Sequence, residues 1–294
     1  MKMSDSKKST LAYCGLFVVA IMWGMAFVAV KSALDIVPPV YLIAIRFSIA
    51  AVAMMILFPG QFRKMNRSNI LHGIIVGIFL FLAYLTQTVG CQYTTAGKNA
   101  FLTALYIMIV PFVNWGLTKK RPTVRLFVAV VVALAGIGFI SLDADLRINI
   151  GDLLTIVCGI LFALQIGFLD YYLEKDDVAV MTTMELLVTG VFGWICAPFM
   201  DGAFSFSIIT PDAWGSLLYL GFISSLLCNF LQTLCQKYTN PGNAALIMSC
   251  EALFGALGSV IFLHEVMQNR TVFGCILMVV AILIAQFKIG KTGD

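Results

Sequence analysis

Apolar runs long enough to cross a membrane follow one another along almost the whole chain. A helix needs about 20 such residues to cross a hydrocarbon core of about 30 Å, because its backbone N–H and C=O groups find no water there. Of the 294 residues, 61% are hydrophobic and 12% are charged, whereas soluble domains have about 45–50% and about 25%. The pattern predicts an all-α integral membrane protein with ten transmembrane helices, at 11–31, 40–58, 70–92, 98–117, 123–141, 151–172, 179–199, 212–236, 243–263 and 271–288.

Lys and Arg are unevenly distributed over the loops between these spans. If the N-terminus is cytoplasmic, fourteen of the nineteen Lys and Arg residues fall inside and four outside, while Arg46 lies within a span. Positive charges in short loops resist translocation and stay on the cytoplasmic side. The sequence therefore predicts a multi-pass protein of the cell (cytoplasmic) membrane with both termini in the cytoplasm. The first span is too long for the apolar region of a signal peptide, so we expect it to be retained.

One segment of the sequence has a similar second copy. The segments LTQTVGCQYTTAGKNAFL at 85–102 and FLQTLCQKYTNPGNAALI at 230–247 align at an offset of 145 positions. The matches include Gln, Thr, Tyr and Gly, which a small apolar alphabet alone would not produce. The same offset places Arg125 on Arg270, each at the start of the last helix of its half. The identical pairs are Gln87 and Gln232, Thr88 and Thr233, Tyr93 and Tyr238, Thr94 and Thr239, Gly97 and Gly242, and Ala100 and Ala245.

The duplication predicts two five-helix repeats, over residues 1–146 and 147–294. Because five is odd, the second repeat must enter the membrane from the opposite side. Two inverted repeats related by a pseudo-twofold axis in the membrane plane are a signature of secondary transporters. Exchanging the roles of the halves converts an inward-open into an outward-open state of similar energy, so that a central site faces each side in turn.

Four segments resemble the drug/metabolite transporter superfamily, specifically its ten-helix EamA family. They are IMWGMAFVAVKSAL in the first span, YLIAIRFSIAA in the second, YTTAGKNAFLTALYIMIVP over the third and fourth, and SCEALFGALGSVIFLHE in the ninth. The resemblance implies a carrier of small metabolites, often amino acids. Export of an amino acid or a related compound is the best specific interpretation, and a polyspecific drug or quaternary-amine exporter is the alternative.

The sequence departs from the family pattern at two places. Glu251 is followed by Ala252, where the family often has Glu-Pro, and Lys120 precedes Arg121, where the first half of the family often has an acidic residue. The second copy keeps its acidic residue, Glu265. A role of the first-half carboxylate therefore cannot be transferred to this chain.

Polar side chains recur on one face of several predicted spans. A polar residue inside a span is costly, so it usually faces the bundle interior or a wet cavity. Helical spacing places Ser225, Asn229, Gln232 and Gln236 on one face of the eighth span. Tyr84, Gln87 and Cys91 form the counterpart in the third span, and Asn99, Thr103, Tyr106 and Asn114 share a face of the fourth.

These stripes allow two interpretations. They can line a central cavity that binds a polar solute, or they can form hydrogen bonds between helices. For Asn99 and Asn243 a helix cap is an equal alternative, and Trp23 is either a cavity wall or a packing residue. The candidate substrate-binding residues are Trp23, Tyr84, Gln87, Asn99, Tyr106, Gln165, Asn229, Gln232 and Glu251.

Three ionisable residues lie well inside the spans. Arg46 and Glu185 occupy matching depths in the second and seventh spans, at an offset of 139, so they either form a charge pair across the axis or reach separate partners. Glu251 has three interpretations. It can carry a coupling proton between the two states, bind the ammonium group of a substrate, or stay protonated and donate a hydrogen bond to a backbone carbonyl.

Patterns typical of other protein classes are missing from the sequence. HEVMQ at 264–268 begins like the zinc motif HExxH but ends in Gln268, and no P-loop occurs. The eight cysteines fall inside predicted spans without a CxxC motif, and the net charge of +4 does not mark a nucleic-acid binder. We expect no enzymatic activity, no metal and no cofactor, and we expect the lipid bilayer and a small-molecule substrate as partners. A channel or an integral membrane enzyme is a less favoured alternative, and the oligomeric state is not predicted.

Overall fold

The computed structural model describes residues 5–119, 121, 124–141, 148–239, 244 and 247–286. Helices account for nearly all of these residues, and they contain no β-strand. The first six helices are α1 (Asp5–Ala33), α2 (Pro39–Leu57), α3 (Arg67–Tyr93), α4 (Ala96–Thr103), α5 (Tyr106–Thr118) and α6 (Val124–Ser141). The others are α7 (Ile150–Leu173), α8 (Val178–Met200), α9 (Pro211–Leu218), α10 (Cys228–Gln236), α11 (Cys250–Phe262) and α12 (Asn269–Gln286), and a π-helical segment, Tyr219–Leu227, joins α9 to α10.

Seven helical stretches within the described ranges are long and apolar enough to cross a membrane. Three more apolar helices are shorter, at 127–140, 250–262 and 269–284. All of them lie at predicted spans, so the chain is a multi-pass, all-helical membrane protein. A full count of ten membrane crossings stays a prediction.

Two predicted spans are not uniform α-helices. The fourth is divided into α4 and α5, where the N–H groups of Ile107 and Met108 donate to carbonyls only three residues earlier. Pro111 lies inside α5. A proline has no N–H group to donate to the carbonyl four residues earlier, here that of Ile107, and its ring clashes with that carbonyl. The eighth span contains the π-helical segment, a wider turn that often occurs at functional sites.

The helices pack in pairs that bring distant parts of the chain together. Helix α1 contacts α10 and α11, α7 contacts α3 and the α4–α5 pair, α2 contacts α8, and α6 contacts α12. In addition, α3 packs against α8, and α2 packs against the π-helical segment. The residues that surround the interior therefore come from both halves of the sequence.

Loops predicted on one side of the membrane contact each other. The carboxylate of Asp201 accepts from the backbone N–H groups of Val40 and Tyr41, at 2.7 and 3.2 Å. At the other end of the bundle, Lys64 pairs with Asp177 at 2.6 Å. These contacts fit the prediction that successive loops alternate between the two sides of the membrane. Which of these sides is cytoplasmic stays a prediction.

The contact between α1 and α11 depends on a glycine. A Cβ atom on Gly24 would lie 2.4 Å from Cβ of Phe254 and 2.9 Å from the carbonyl oxygen of Glu251. We expect Gly24→Leu to lower the free energy of unfolding by about 1–3 kcal/mol, because overpacking forces the two helices apart. Thermal unfolding of the purified protein in detergent measures this change. The matched control is Gly116→Leu, where a Cβ atom has no neighbour within 4 Å, and an equal loss in both variants would contradict the explanation.

Candidate functional site

A cavity is lined by residues from both halves of the sequence. About 570 Å³ in and around it is not filled by protein atoms, open solvent at its entrance included. All nine candidate substrate-binding residues line it, together with Arg46, and the rest of the wall is mainly apolar. The structure thus brings the predicted residues together around one space. The other lining residues are Ala26, Phe27, Val30, Leu80, Thr103, Phe162, Ile166 and Ser224.

One wall is built by α3 and α4, whose amide side chains are tied together. The Nε2 group of Gln87 donates to Oγ1 of Thr103 at 3.2 Å. Asn99 is fully buried, and its Nδ2 group donates to the carbonyl oxygen of Gln87 and to Oγ1 of Thr155, both at 3.1 Å. The buried Oδ1 atom of Asn99 has no hydrogen-bond partner among the described residues.

The capping alternative for Asn99 is wrong. Helix α4 begins at Ala96, and its cap is Thr95, whose hydroxyl accepts from the N–H group of Lys98 at 3.2 Å. Asn99 lies within the helix, where its side chain points to α3 and α7. The corresponding prediction for Asn243 falls outside the described residues.

The opposite wall is built by the π-helical segment and α10. Asn229 and Gln232 line the cavity, and the indole N–H group of Trp23 donates to the carbonyl oxygen of Ser224 at 3.0 Å. The predicted stripe began at Ser225, but Ser224 is the serine that lines the cavity. The π-helical turn explains the difference, because it places residues five apart, here Ser224 and Asn229, on one face.

Arg46 on α2 is almost completely buried, with 1% of its surface exposed. Its Nε group donates to Oγ of Ser225 at 2.8 Å, and its Nη2 group donates to Oγ of Ser224 at 2.9 Å. The guanidinium carbon lies 4.8 Å from the ring centre of Tyr84 and 5.2 Å from that of Phe47. Two hydroxyls and two aromatic rings therefore hold this cation in the cavity wall.

Glu185 is fully buried on α8 behind the cavity. Its Oε2 atom accepts from Nε2 of Gln165 at 3.0 Å, and Gln165 lines the cavity. Arg46 and Glu185 thus have different partners, and no ion pair joins them in this conformation of the described residues. Of the two alternatives for these residues, separate local partners are the arrangement present here.

Glu251 lies in the first turn of α11, with 3% of its surface exposed. It lines the cavity beside the aromatic and amide groups, and its Oε1 atom accepts no hydrogen bond from any described residue. The carboxyl group also lies within reach of the Tyr106 hydroxyl. An acidic side chain that faces an internal cavity can bind a cationic group or exchange a proton.

At one end of the bundle, charged side chains bind the loop between α3 and α4 and hold it against neighbouring elements. The carboxylate of Glu265 accepts from the backbone N–H groups of Ala96 and Gly97, at 2.8 and 3.1 Å, at the positive end of α4. Lys31 donates to the carbonyl oxygens of Cys91 and Thr94, at 2.7 and 2.8 Å. We call Lys31, Thr94, Gly97 and Glu265 the closed-end cluster. The sequence did not predict this role of Glu265.

A second cavity leads towards the opposite end of the bundle. It shares Tyr106 and Ile166 with the main cavity. Asn114 and Gln236, which belong to the predicted polar stripes, line this second space rather than the first. Its other lining residues are Val110, Asp170 and Met248. The polar faces of α5 and α10 therefore continue from the main cavity away from the closed-end cluster.

A model of the EamA-like transporter family matches residues 10–142 and, a second time, residues 149–287. The chain belongs to the EamA-like transporter family. This EamA-like chain is therefore placed among membrane transporters.

Other proteins are similar to this chain in sequence or in fold. An uncharacterized transporter of Archaeoglobus fulgidus is 29% identical over 97% of this chain and 89% of its own length. The uncharacterized transporter YyaM of Bacillus subtilis is 31% identical over 73% of this chain and 74% of its own length. A solved crystal structure with 15% identity covers 94% of this chain and 96% of its own chain at a TM-score of 0.71, which shows that the two share a fold.

Proposed function

We propose that this protein is a secondary active transporter that moves a small polar metabolite across the cytoplasmic membrane by alternating access. The observation that supports it is that nine side chains predicted to bind substrate surround one internal cavity. Buried amides and hydroxyls with apolar walls can replace the water around a polar solute. Within this proposal, export of an amino acid or a related compound is the most specific candidate.

The cavity lining supports two inverted repeats as the basis of the mechanism. The two proposed repeats can be aligned by adding 139 to residue numbers in the first helix and 145 to residue numbers in the third and fourth helices. In this alignment, twelve of the eighteen lining residues form equivalent pairs. A cavity lined by equivalent residues is expected to lie on the axis that relates the halves. The pairs are Trp23 and Phe162, Ala26 and Gln165, Phe27 and Ile166, Tyr84 and Asn229, Gln87 and Gln232, and Tyr106 and Glu251.

The helix contacts support the same symmetry. Exchanging the proposed repeats turns the contact of α1 with α10 into that of α7 with α3, and the contact of α1 with α11 into that of α7 with α4 and α5. The α2–α8 and α6–α12 contacts map onto themselves. The helix break after Thr103 also has a counterpart, because Ala104 plus 145 is Ser249, the residue just before α11.

We infer that this conformation is open towards the cytoplasm. The closed-end cluster lies on the side that the Lys and Arg distribution assigns to the outside, and the second cavity leads the other way. In the alternate state the cluster would separate and the cytoplasmic end would close. Glu251, which faces the cavity between these two ends, is a candidate for the coupling proton or for binding a substrate ammonium group.

Flux measurements in proteoliposomes test the proposal against its rivals. A carrier gives saturable movement of a labelled substrate that is stimulated by the same compound on the far side. Conductive flux that does not saturate would indicate a channel, and product formation without net movement would indicate an enzyme. The panel should contain amino acids, nucleosides and quaternary amines, each with and without an imposed pH gradient.

The repeat-related glutamines are expected to contribute unequally to transport. Gln87 is held by Thr103, whereas the amide of Gln232 has no hydrogen bond to another described residue. Since a lost hydrogen bond costs about 1 kcal/mol, we expect Gln232→Ala to raise the half-saturating concentration roughly five- to tenfold, and Gln87→Ala to raise it less. Gln268→Ala, at an exposed loop position, is the control, and equal effects at 87 and 232 would contradict this ranking.

A further inference from the structure

We propose that the transported compound carries a carboxylate, and that Arg46, which the hydroxyls of Ser224 and Ser225 hold in position, binds this group. The inference rests on the proposed transport function and specifies its substrate class. It assigns Arg46 to substrate recognition rather than to a fixed ion pair within the protein.

Arg46 carries a permanent positive charge in the wall of the cavity. An arginine side chain is protonated at all physiological pH values, and moving it out of water is costly unless an anion compensates it. Arg46 is 1% exposed and lines the cavity, and its hydrogen-bond acceptors are two neutral hydroxyl groups. No carboxylate forms an ion pair with it within the described ranges, so an anion that enters the cavity would supply the missing charge.

Serine hydroxyls and aromatic rings orient the guanidinium group of Arg46. The serine hydroxyls fix the Nε and Nη2 groups, and the rings of Tyr84 and Phe47 flank the guanidinium carbon at 4.8 and 5.2 Å. A planar guanidinium presents N–H groups in a fork that matches the two oxygens of a carboxylate. The hydroxyl of Ser224, which lines the cavity, can also donate its own proton to an anion. The group is therefore oriented before a ligand arrives.

The described residues that line the cavity include one cationic and one acidic side chain. Arg46 is the one cationic side chain among the described residues that line the cavity, and Glu251 is the one acidic side chain. A single guanidinium balances one carboxylate, whereas a phosphate carries more charge than one cation compensates. The carboxyl group of Glu251 lines the same cavity and can bind an amino group on the same compound. These charges favour a carboxylate-bearing molecule over a purely cationic drug.

The test compares acids with their amides on the purified full-length protein. Phenylalanine, leucine and benzoate are each paired with the corresponding amide, and thermal unfolding in detergent is followed as the compound is titrated, because a ligand of the folded state stabilises it. We expect at least one acid of the panel to raise the unfolding temperature, with a half-saturating concentration at least tenfold below that of its amide. Inorganic phosphate, as an anion control, is expected to give no such effect.

Arg46→Gln is expected to abolish the preference for the acid and to leave any weak effect of the amide unchanged. A purely structural role of Arg46 would lower the unfolding temperature without changing the ratio between acid and amide. Arg46→Lys keeps the charge without the planar fork and should retain part of the preference, which covers the case that Arg46→Gln does not fold. Arg63→Gln removes an exposed positive charge and serves as the matched control.

Equal stabilisation by acid and amide, or stabilisation by no acid of the panel, would overturn the assignment. The test of the carboxylate site and the test of the transport function can fail independently. Saturable, trans-stimulated flux of a quaternary amine with no preference for acids would leave a transporter without this anion site. Stabilisation by acids without flux of any compound would leave the site without the transport function.

Discussion

Joining Gly97 to Ser259 by a disulfide is expected to reduce transport at least tenfold. A Cβ atom on Gly97 would lie 2.8 Å from Oγ of Ser259, so cysteines at both positions are close enough to form a disulfide. The bond would tie α4 to α11 beside the closed-end cluster, and this end could no longer open. Flux in proteoliposomes made with Gly97→Cys and Ser259→Cys together, before and after oxidation, measures the effect, and a reducing agent should restore it.

The single variants Gly97→Cys and Ser259→Cys are the controls under the same oxidant. They also report on the eight native cysteines, of which Cys14 is exposed and Cys196 and Cys250 are half-buried. Mass spectrometry of the digested protein confirms the bond between the two introduced cysteines. Undiminished flux through fully cross-linked protein would mean that this end does not open during transport.

Replacing the carboxylate of Glu251 by an amide is expected to lower gradient-driven uptake at least tenfold and to remove its pH dependence. Glu251→Gln keeps nearly the same shape, so the packing of α11 is retained while the ability to exchange a proton or to hold a cation is lost. A tenfold effect corresponds to about 1.4 kcal/mol. Uptake as a function of pH, with and without a proton gradient, is the measurement.

The remaining activity of this variant separates the two roles of Glu251. If Glu251 carries the coupling proton, substrate exchange without a gradient should persist in Glu251→Gln. If it binds an ammonium group, exchange should fall as well. Glu174→Gln, at an exposed position after α7, is the matched control. A wild-type rate and pH dependence in Glu251→Gln would instead leave Glu251 as a protonated side chain with a structural role.

Much of the candidate site could be predicted because a membrane makes polar residues conspicuous. A polar side chain within an apolar span has few energetically acceptable positions, so spacing alone selected residues such as Gln87, Asn229 and Gln232, which the structure places around one cavity. The helices were located for the same reason, since their length and apolar composition are fixed by the bilayer. Whether these residues bind a substrate is still a prediction.

Other features of the candidate site depend on contacts in three dimensions, which the spacing of residues along the sequence does not specify. Ser224 was missed because the periodicity assumed an α-helix where the chain forms a π-helical turn. The direct contact of Arg46 with Glu185 was one of two alternatives, and matching depth could not reveal that serines from another helix reach Arg46 first. The contact of Glu265 with the start of α4 joins residues far apart in sequence, and no local pattern indicates it.

The wide turn of Tyr219–Leu227 has a consequence for how a molecule can lie in the cavity. Its proposed counterpart in the first half, α3, is a continuous α-helix, so the two halves cannot present the same side chains to the centre. A ligand then meets the guanidinium of Arg46, the hydroxyl of Ser224, several amides and the carboxyl group of Glu251 in a wall to which the two halves contribute different side chains. If the two halves are related as proposed, this unequal lining favours one head-to-tail orientation of the transported compound.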